Sequence, residues 1–280
     1  MLKITVSEIK AISEYIKEIS GIYLDASKGY LLETRLSALA ESLGCKNYLE
    51  LQQQASRDAS KKIERQIIDA ISTNETLFFR DKGPFELLQY KLLPEMIDAR
   101  SNGSLKPQLR IWSAASSTGQ ELYSVAIVIR EMLQRDLGKY NLHLLGTDIS
   151  DNAIQQASYG KYNKFEIERG LDGATLRKYF TIFGDSWKVR DELRAMVKFQ
   201  KFNLMQPFTP LGKFDIILCR NVAIYFTLDD RKKLFNKIAD SLAGDGFLVI
   251  GSTESLTGVC SHFEPKRHLR SIFYQKKKSP

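Results

Sequence analysis

Cysteine is scarce in this sequence: Cys45, Cys219 and Cys260 are the three present in 280 residues. Their number is odd, they lie far apart and no CxxC pair occurs, which argues against a disulfide framework or a zinc site. Histidine is equally rare, and His143, His262 and His268 sit far from most acids that could join them, so no metal is expected. Long apolar runs are missing too. A membrane span needs roughly 18 consecutive apolar residues, whereas the most apolar run, 125–129, is closed by Arg130. The opening MLKITVSEIK carries charges and no small-residue cleavage site, so a cytoplasmic chain without a signal peptide or membrane insertion is expected. What remains is an ordinary globular composition, 43% hydrophobic and 26% charged, with a net charge of +8. That charge suits an acidic partner, either nucleic acid or an acidic protein, and equally a merely soluble basic enzyme.

Apolar residues at intervals of three and four dominate the first part. Ile9, Ile12, Ile16 and Ile19 share one helix face; so do Leu32, Leu36, Leu39 and Leu43, with Gly44 placed as a C-cap. Residues 48–54 and 61–71 read as further helices, which together predict a helical N-terminal domain over 1–83. Phe85, Leu88, Leu92 and Met96 then mark a helix, followed by a polar turn at Asn102 and Gly103. Strands at 109–113, 142–147, 214–219, 247–251 and 271–275 alternate with helices at 121–134, 151–158 and 228–242. Such alternation predicts a doubly wound α/β sheet over 84–280. Residues 165–196 break the rhythm and read as a small antiparallel insertion. The lysines at 276–278 read as a solvated end.

Doubly wound sheets bind ligands at the carboxyl ends of their strands. The first strand ends in Ser113-Ala114-Ala115-Ser116-Ser117-Thr118-Gly119, small residues that admit a ligand to the backbone or simply make a tight turn. Asp148 ends the second strand, where it suits the two ribose hydroxyls of a nucleoside or the cap of the next helix, a role open to Ser150 and Asp151 as well. Glu121 faces a cofactor or steadies a helix dipole. Cys219-Arg220-Asn221 follows an apolar strand abruptly, with Tyr225 and Phe226 beyond it as pocket or core aromatics. The run 73–80 reads as a linker whose Leu77, Phe78 and Phe79 are buried and whose Arg80 stands at their edge.

These segments resemble the chemotaxis-receptor glutamate O-methyltransferases of CheR type. TNETLFFR at 73–80, RIWSAASSTGQELYS at 110–124, FNL at 202–204 and LCRNVAIYF at 218–226 carry the likeness, with GSTESL at 251–256 a weaker match. The resemblance implies an all-helical N-terminal domain for substrate recognition, a Rossmann-like methyltransferase domain and an inserted antiparallel β-subdomain. It implies S-adenosylmethionine as cofactor, S-adenosylhomocysteine as product and the cytoplasmic signalling domain of membrane chemoreceptors, with its acidic helices, as partner. It also implies that Asn74, Thr76 and Arg80 touch the cofactor, Glu121 its amino-acid portion and Asp148 its ribose. Asn203 and Leu204 would border the adenine, Arg220 and Asn221 the pocket, and Tyr225 the transferred methyl.

A glutamate with a pKa near 4.3 is already ionised at neutral pH, so methyl transfer to it needs positioning and desolvation, not a base. Arg80 and Tyr225 are the candidates for that role, Arg80 serving alternatively the cofactor's own carboxylate. Gln120 stands where the family usually has an acid, and Ala223 where it has a larger apolar residue. The basic face of the second helix is thin, keeping Lys28 and Arg35, and the loop 181–188 is short with Gly184 alone, which argues against docking of a receptor tether. A nucleic-acid methyltransferase is disfavoured because Cys219-Arg220-Asn221-Val222 lacks the prolines of an amino-methylating site. A cofactor-sensing scaffold without turnover is disfavoured by the joint presence of Arg80, Asp148, Asn221 and Tyr225.

Overall fold

The computed structural model describes residues 2–101 and 106–277. Its N-terminal part is built from α1 (Val6–Ser20), α2 (Gly29–Ser42), α3 (Tyr48–Arg57) and α4 (Lys62–Ile71). A capping box starts α1: Thr5 and Glu8 exchange side-chain and backbone hydrogen bonds, and Gly21 ends the helix at φ +79°. Ile12, Ile16, Leu32 and Leu36 are buried, joined by Tyr48, Leu51, Ile67 and Ile71 in one core. Burying each such side chain contributes roughly 1.5–3 kcal/mol. Ile9, Ile19, Leu39 and Leu43 pack at its margin. Gly44, at φ +69°, follows the second helix as expected.

Residues 72–82 form a linker without helix or strand, which turns over 78–82 with Phe79, Asp81 and Lys82 at positive φ. Beyond it α5 (Gly83–Leu87) runs through a π-helical stretch, Leu88–Leu92, into α6 (Leu93–Ser101). The turn expected at Asn102 and Gly103 lies outside the described residues, as does Lys278 of the tail. The main sheet contains β1 (Gln108–Ala114), β2 (Asn141–Asp148), β6 (Val197–Lys201), β7 (Phe214–Cys219), β8 (Leu242–Ile250), β9 (Phe263–His268) and β10 (Ser271–Lys276). Their order is β6-β2-β1-β7-β8-β10-β9. The first five are parallel, and β10 and β9 close the sheet antiparallel. Strands buried on both faces explain why β7 is apolar almost throughout, with all six residues buried. Ile111, Leu144, Ile216, Leu218 and Phe247 meet α7 (Gln120–Leu133) on one face. Trp112, Leu145, Ile217 and Leu248 meet α12 (Leu228–Ser241) on the other.

A second sheet, ordered β3-β5-β4, consists of β3 (Lys161–Asn163), β4 (Phe180–Phe183) and β5 (Ser186–Val189). It is the antiparallel insertion expected from the sequence, but it begins at Lys161, ahead of residue 165, because β3 follows directly on α8 (Asp151–Tyr159). Between its strands lie α9 (Lys164–Glu168) and α10 (Gly173–Tyr179), and α11 (Asp191–Arg194) leads out to β6. Gly184 makes the β4–β5 turn at φ +59°. No helix among the described residues is long and apolar enough to cross a membrane.

Candidate functional site

Strand order reverses between β1 and β7: β2 lies beside β1 on one side and β7 on the other. Ligands of doubly wound sheets settle outside that point, and a cleft of about 1100 Å³, open in part to solvent, lies there. Asn74, Thr76, Arg80, Glu121, Asp148, Asn203, Leu204, Arg220, Asn221 and Tyr225 all line it. Ala115, Ser116 and Ser117 form one wall; Ser20, Ile22, Leu24 and Leu31 of the helical domain form another. No histidine is among the lining residues.

The turn after β1 is shaped by backbone hydrogen bonds. Ser116 N–H donates to the Thr147 carbonyl at 2.8 Å, and Gly119 N–H to the Ser116 carbonyl at 3.0 Å. Ala115 and Ser117 take positive φ, +59° and +50°, as does Asn221 at the end of β7, +56°. Three non-glycine residues in that region at one sheet edge store backbone strain of about 1–3 kcal/mol each. Gly119 needs its φ of +96°, and a Cβ there would lie 2.8 Å from the Cβ of Ala157.

Asp148 is 7% exposed. Its Oδ2 accepts from Ser117 N–H at 2.8 Å and its Oδ1 from Ser150 N–H at 3.0 Å. Burial pushes its carboxyl above the usual aspartate value, against those backbone donors. The cap of α8 is Ser150, whose hydroxyl accepts from Ala153 N–H, so the carboxylate is not consumed as a helix cap. With backbone donors at Ser117, Ser150 and Ile149, the carboxylate keeps acceptor capacity for a further donor.

Arg220 is the hub of the site. Its Nη1 donates to Glu121 Oε2 at 2.7 Å. Its Nη2 donates to Asp81 Oδ2 at 2.8 Å and to the Arg80 carbonyl at 2.9 Å. The guanidinium lies over Phe85, and Nε is buried with no partner among the described residues. Glu121 Oε1 also accepts from Ser113 Oγ at 2.7 Å. Arg220 therefore fixes both the carboxylate of α7 and the linker backbone beside Arg80. Arg80 itself donates from Nη1 to the Glu75 carbonyl at 3.0 Å and otherwise faces the cleft. Tyr225 is half-buried, and its carbonyl accepts from Tyr23 N–H of the helical domain at 2.8 Å.

Several side chains are more tightly committed than their sequence context suggested. Asn203 donates from Nδ2 to the Ile19 carbonyl at 3.0 Å and accepts from Met205 N–H at 2.8 Å, so its amide ties α1 to the cleft wall. Of the linker aromatics and Leu77, Phe78 alone is fully buried, edge-on to Tyr162 and Phe180; Leu77 and Phe79 are half-buried. Arg35 is not displayed on a basic face. Its guanidinium reaches the Ile71 carbonyl, the Ser72 carbonyl at 3.2 Å and the Thr73 hydroxyl at 3.2 Å, clamping the linker to α2. Gln120 is buried and accepts from the Thr118 hydroxyl at 2.8 Å, away from the cleft.

Glu254 was not singled out in the sequence, although it lies within the run 251–256. Its Oε2 accepts from Asn221 N–H at 2.7 Å and Gly251 N–H at 2.8 Å, joining the ends of β7 and β8. A Cβ on Gly251 would lie 2.5 Å from that oxygen. The signal available was the glycine three residues before the acid.

A nucleoside carrying an amino acid fits this donor set. The buried hydroxyl of Ser116 has no partner among the described residues and lines the cleft. Asp148 and Glu121 offer acceptors on the wall, and Ile149, Phe202 and Leu204 offer apolar surface.

A family model described as the SAM binding domain of CheR methyltransferase matches residues 74–270, and one described as the all-alpha domain of CheR methyltransferase matches residues 7–72. The chain is 38% identical over 266 residues to chemotaxis protein methyltransferase Cher2 of Pseudomonas putida, covering 94% of this chain and 95% of that protein. It is 39% identical over 281 residues to chemotaxis protein methyltransferase 1 of Vibrio cholerae, covering 99% and 100%. Both parts of the fold are thus included in the likeness.

Proposed function

The chain belongs to the CheR family of chemotaxis protein methyltransferases, and from the make-up of its cleft we propose how its residues share the work of methyl transfer. The protein is an S-adenosylmethionine-dependent methyltransferase that esterifies glutamates of chemoreceptors. Bound S-adenosylmethionine supplies a methyl group on a sulfonium and leaves as S-adenosylhomocysteine. Asp148 accepts from the ribose hydroxyls, and Glu121 takes the ammonium of the amino-acid portion. Ser116, Asn74 and Thr76 add polar contacts, while Leu204 and the backbone at Asn203 border the adenine. Arg220 and Asn221 act as a rigid wall, because the guanidinium is already bound to Glu121 and the linker.

Arg80 and Tyr225 orient the incoming carboxylate. The observation that carries this assignment is their place on the cleft wall with polar groups uncommitted: two nitrogens of Arg80 and the Tyr225 hydroxyl have no hydrogen-bond partner among the described residues. A glutamate is ionised at neutral pH, so the wall needs no base; it must strip water and hold oxygen, methyl carbon and sulfur in line. Arg80→Ala and Tyr225→Phe are each expected to lower turnover more than affinity for S-adenosylhomocysteine. Cofactor binding lost in parallel with activity, measured by calorimetry, would remove that residue from the orienting role.

The helical domain over 1–83 serves substrate recognition, the domain over 84–280 carries the chemistry, and the insertion that begins at Lys161 borders it. The acceptors are acidic helices in the cytoplasmic signalling domain of the receptors, and the enzyme works in the cytoplasm. The two-residue turn at Gly184 and Asp185 leaves no long loop for a receptor tether, so the receptors modified lack one; micromolar binding of a receptor tail peptide would refute this. The whole reading is tested by transfer of labelled methyl to purified receptor signalling domains. The label should be lost in mild base, as an ester is; base-stable label would overturn the assignment.

A further inference from the structure

We propose that the β9–β10 hairpin docks the acidic receptor segment that carries the methyl-accepting glutamates; this rests on the methyltransferase reading above. β10 runs antiparallel to β8 with Tyr274 opposite Leu248, so Ser271 emerges beside the carboxyl end of β8 at Ile250. The two-residue turn at Leu269 and Arg270, closed by the pairing of His268 with Ser271, therefore projects from the sheet edge that carries the cleft. The start of α5 lies against the hairpin: a Cβ on Gly83 would lie 2.8 Å from Ser271 Oγ.

The surface so formed is basic. Lys82, Arg267 and Arg270 are exposed and make no ion pair with any described residue. Lys266, also exposed, pairs with Glu264, and the nearby Asp81 is held by Arg220. The tip also has features that the fold does not require. Leu269 sits at φ +52° and is 68% exposed, although that conformation favours glycine or asparagine and an exposed leucine gains nothing from burial. Ile272 beside it is 55% exposed. Apolar side chains set among unpaired cations suit an amphipathic acidic segment. The methyl acceptor is itself a carboxylate, so the segment entering the cleft brings charge of the complementary sign. In the helical domain, Arg35 is committed to the linker.

The test uses the full chain with a lipid-free receptor signalling domain. The Lys82→Glu/Arg270→Glu variant should raise KM for the receptor about tenfold at low salt, with kcat and affinity for S-adenosylhomocysteine unchanged, because uniform binding alone is lost. Leu269→Asn, which suits the turn, should raise KM in the same direction without lowering Tm. If the wild type methylates the receptor and the charge variant keeps its KM, the docking surface is refuted while the methyltransferase reading stands. If the wild type transfers no methyl, that reading fails and the docking surface with it. An effect seen only with receptor-bearing vesicles would assign the hairpin to anionic lipid and overturn the proposal.

Discussion

Glu254 holds two backbone N–H groups with one carboxylate oxygen, and one of them belongs to Asn221 in its left-handed conformation. Removing the carboxylate leaves both donors without a partner in a partly buried place, at a cost of about 1–3 kcal/mol each if water does not replace it. Glu254→Ala is therefore expected to weaken S-adenosylhomocysteine binding about tenfold through the displaced Asn221, with Glu254→Gln recovering most of it because an amide carbonyl still accepts. Calorimetric titration of the two variants checks this; equal losses would show that charge, and not the hydrogen bonds, matters. Asp148 gives a pH prediction. Its carboxyl holds its proton to higher pH than an exposed aspartate, through burial first. In the free protein this group's contribution to stability therefore falls as pH rises from about 3.9, the unfolded value, through the raised folded one. Ribose hydroxyls donate to the ionised form, so cofactor affinity is full above the folded value and declines as pH falls through it. Asp148→Asn should have lower affinity and lose that pH dependence. The residue identities at this scale were legible, since strand ends advertise their polar groups. Their partners were not, because Arg220 meets Glu121 across 99 positions of sequence.

At the scale of elements, the linker is held by a single deep anchor. Phe78 is 1% exposed, with ring centroids 5.0 Å from Tyr162 and 5.3 Å from Phe180. Truncation to alanine leaves a cavity between linker and small sheet, so Phe78→Ala should cost about 3–5 kcal/mol, read from the urea midpoint. Leu77 and Phe79 flank it half-buried, since the chain turns here, with Phe79 at φ +50°, and neighbouring side chains leave in different directions. Helices of the first domain could be read from the periodicity of Ile and Leu. Edge strands could not: β6 reads Val-Lys-Phe-Gln-Lys and β9 Phe-Glu-Pro-Lys-Arg-His, polar or broken by proline. Such sequences protect an edge from stray pairing and therefore carry little strand signal.

For the whole molecule, the cleft belongs to both domains. Ser20, Ile22, Leu24 and Leu31 face Asp148 and Leu204 across it. Asn203 grips the Ile19 carbonyl, Ser150 donates to Asp69 of α4 at 2.7 Å, and Gly21 leaves room for Met205. A ligand in such a cleft stabilises the two parts together. S-adenosylhomocysteine at a hundred times its Kd should add about 2.7 kcal/mol, raising one calorimetric transition as a unit. A rise confined to one of two separate transitions would show that the domains are not coupled through the site.

Local patterns sufficed for the helical first domain, the alternating second one and the polar groups at the strand ends, because periodicity, caps and small-residue turns act over a few residues. The motifs over 73–80, 110–124 and 218–226 also carried the family and its reaction. Only the tertiary structure decided which of those groups stay free. Arg35 and Asn203 are spent on backbone carbonyls brought near by folding, and Arg220 is locked between Glu121 and the linker. Arg80 and Tyr225 keep donors facing the cleft. Glu254 and the basic hairpin at Leu269 and Arg270 acquire their places from strand order, which sets β8 and β10 beside the site although 22 and 51 residues separate them from β7 in the chain.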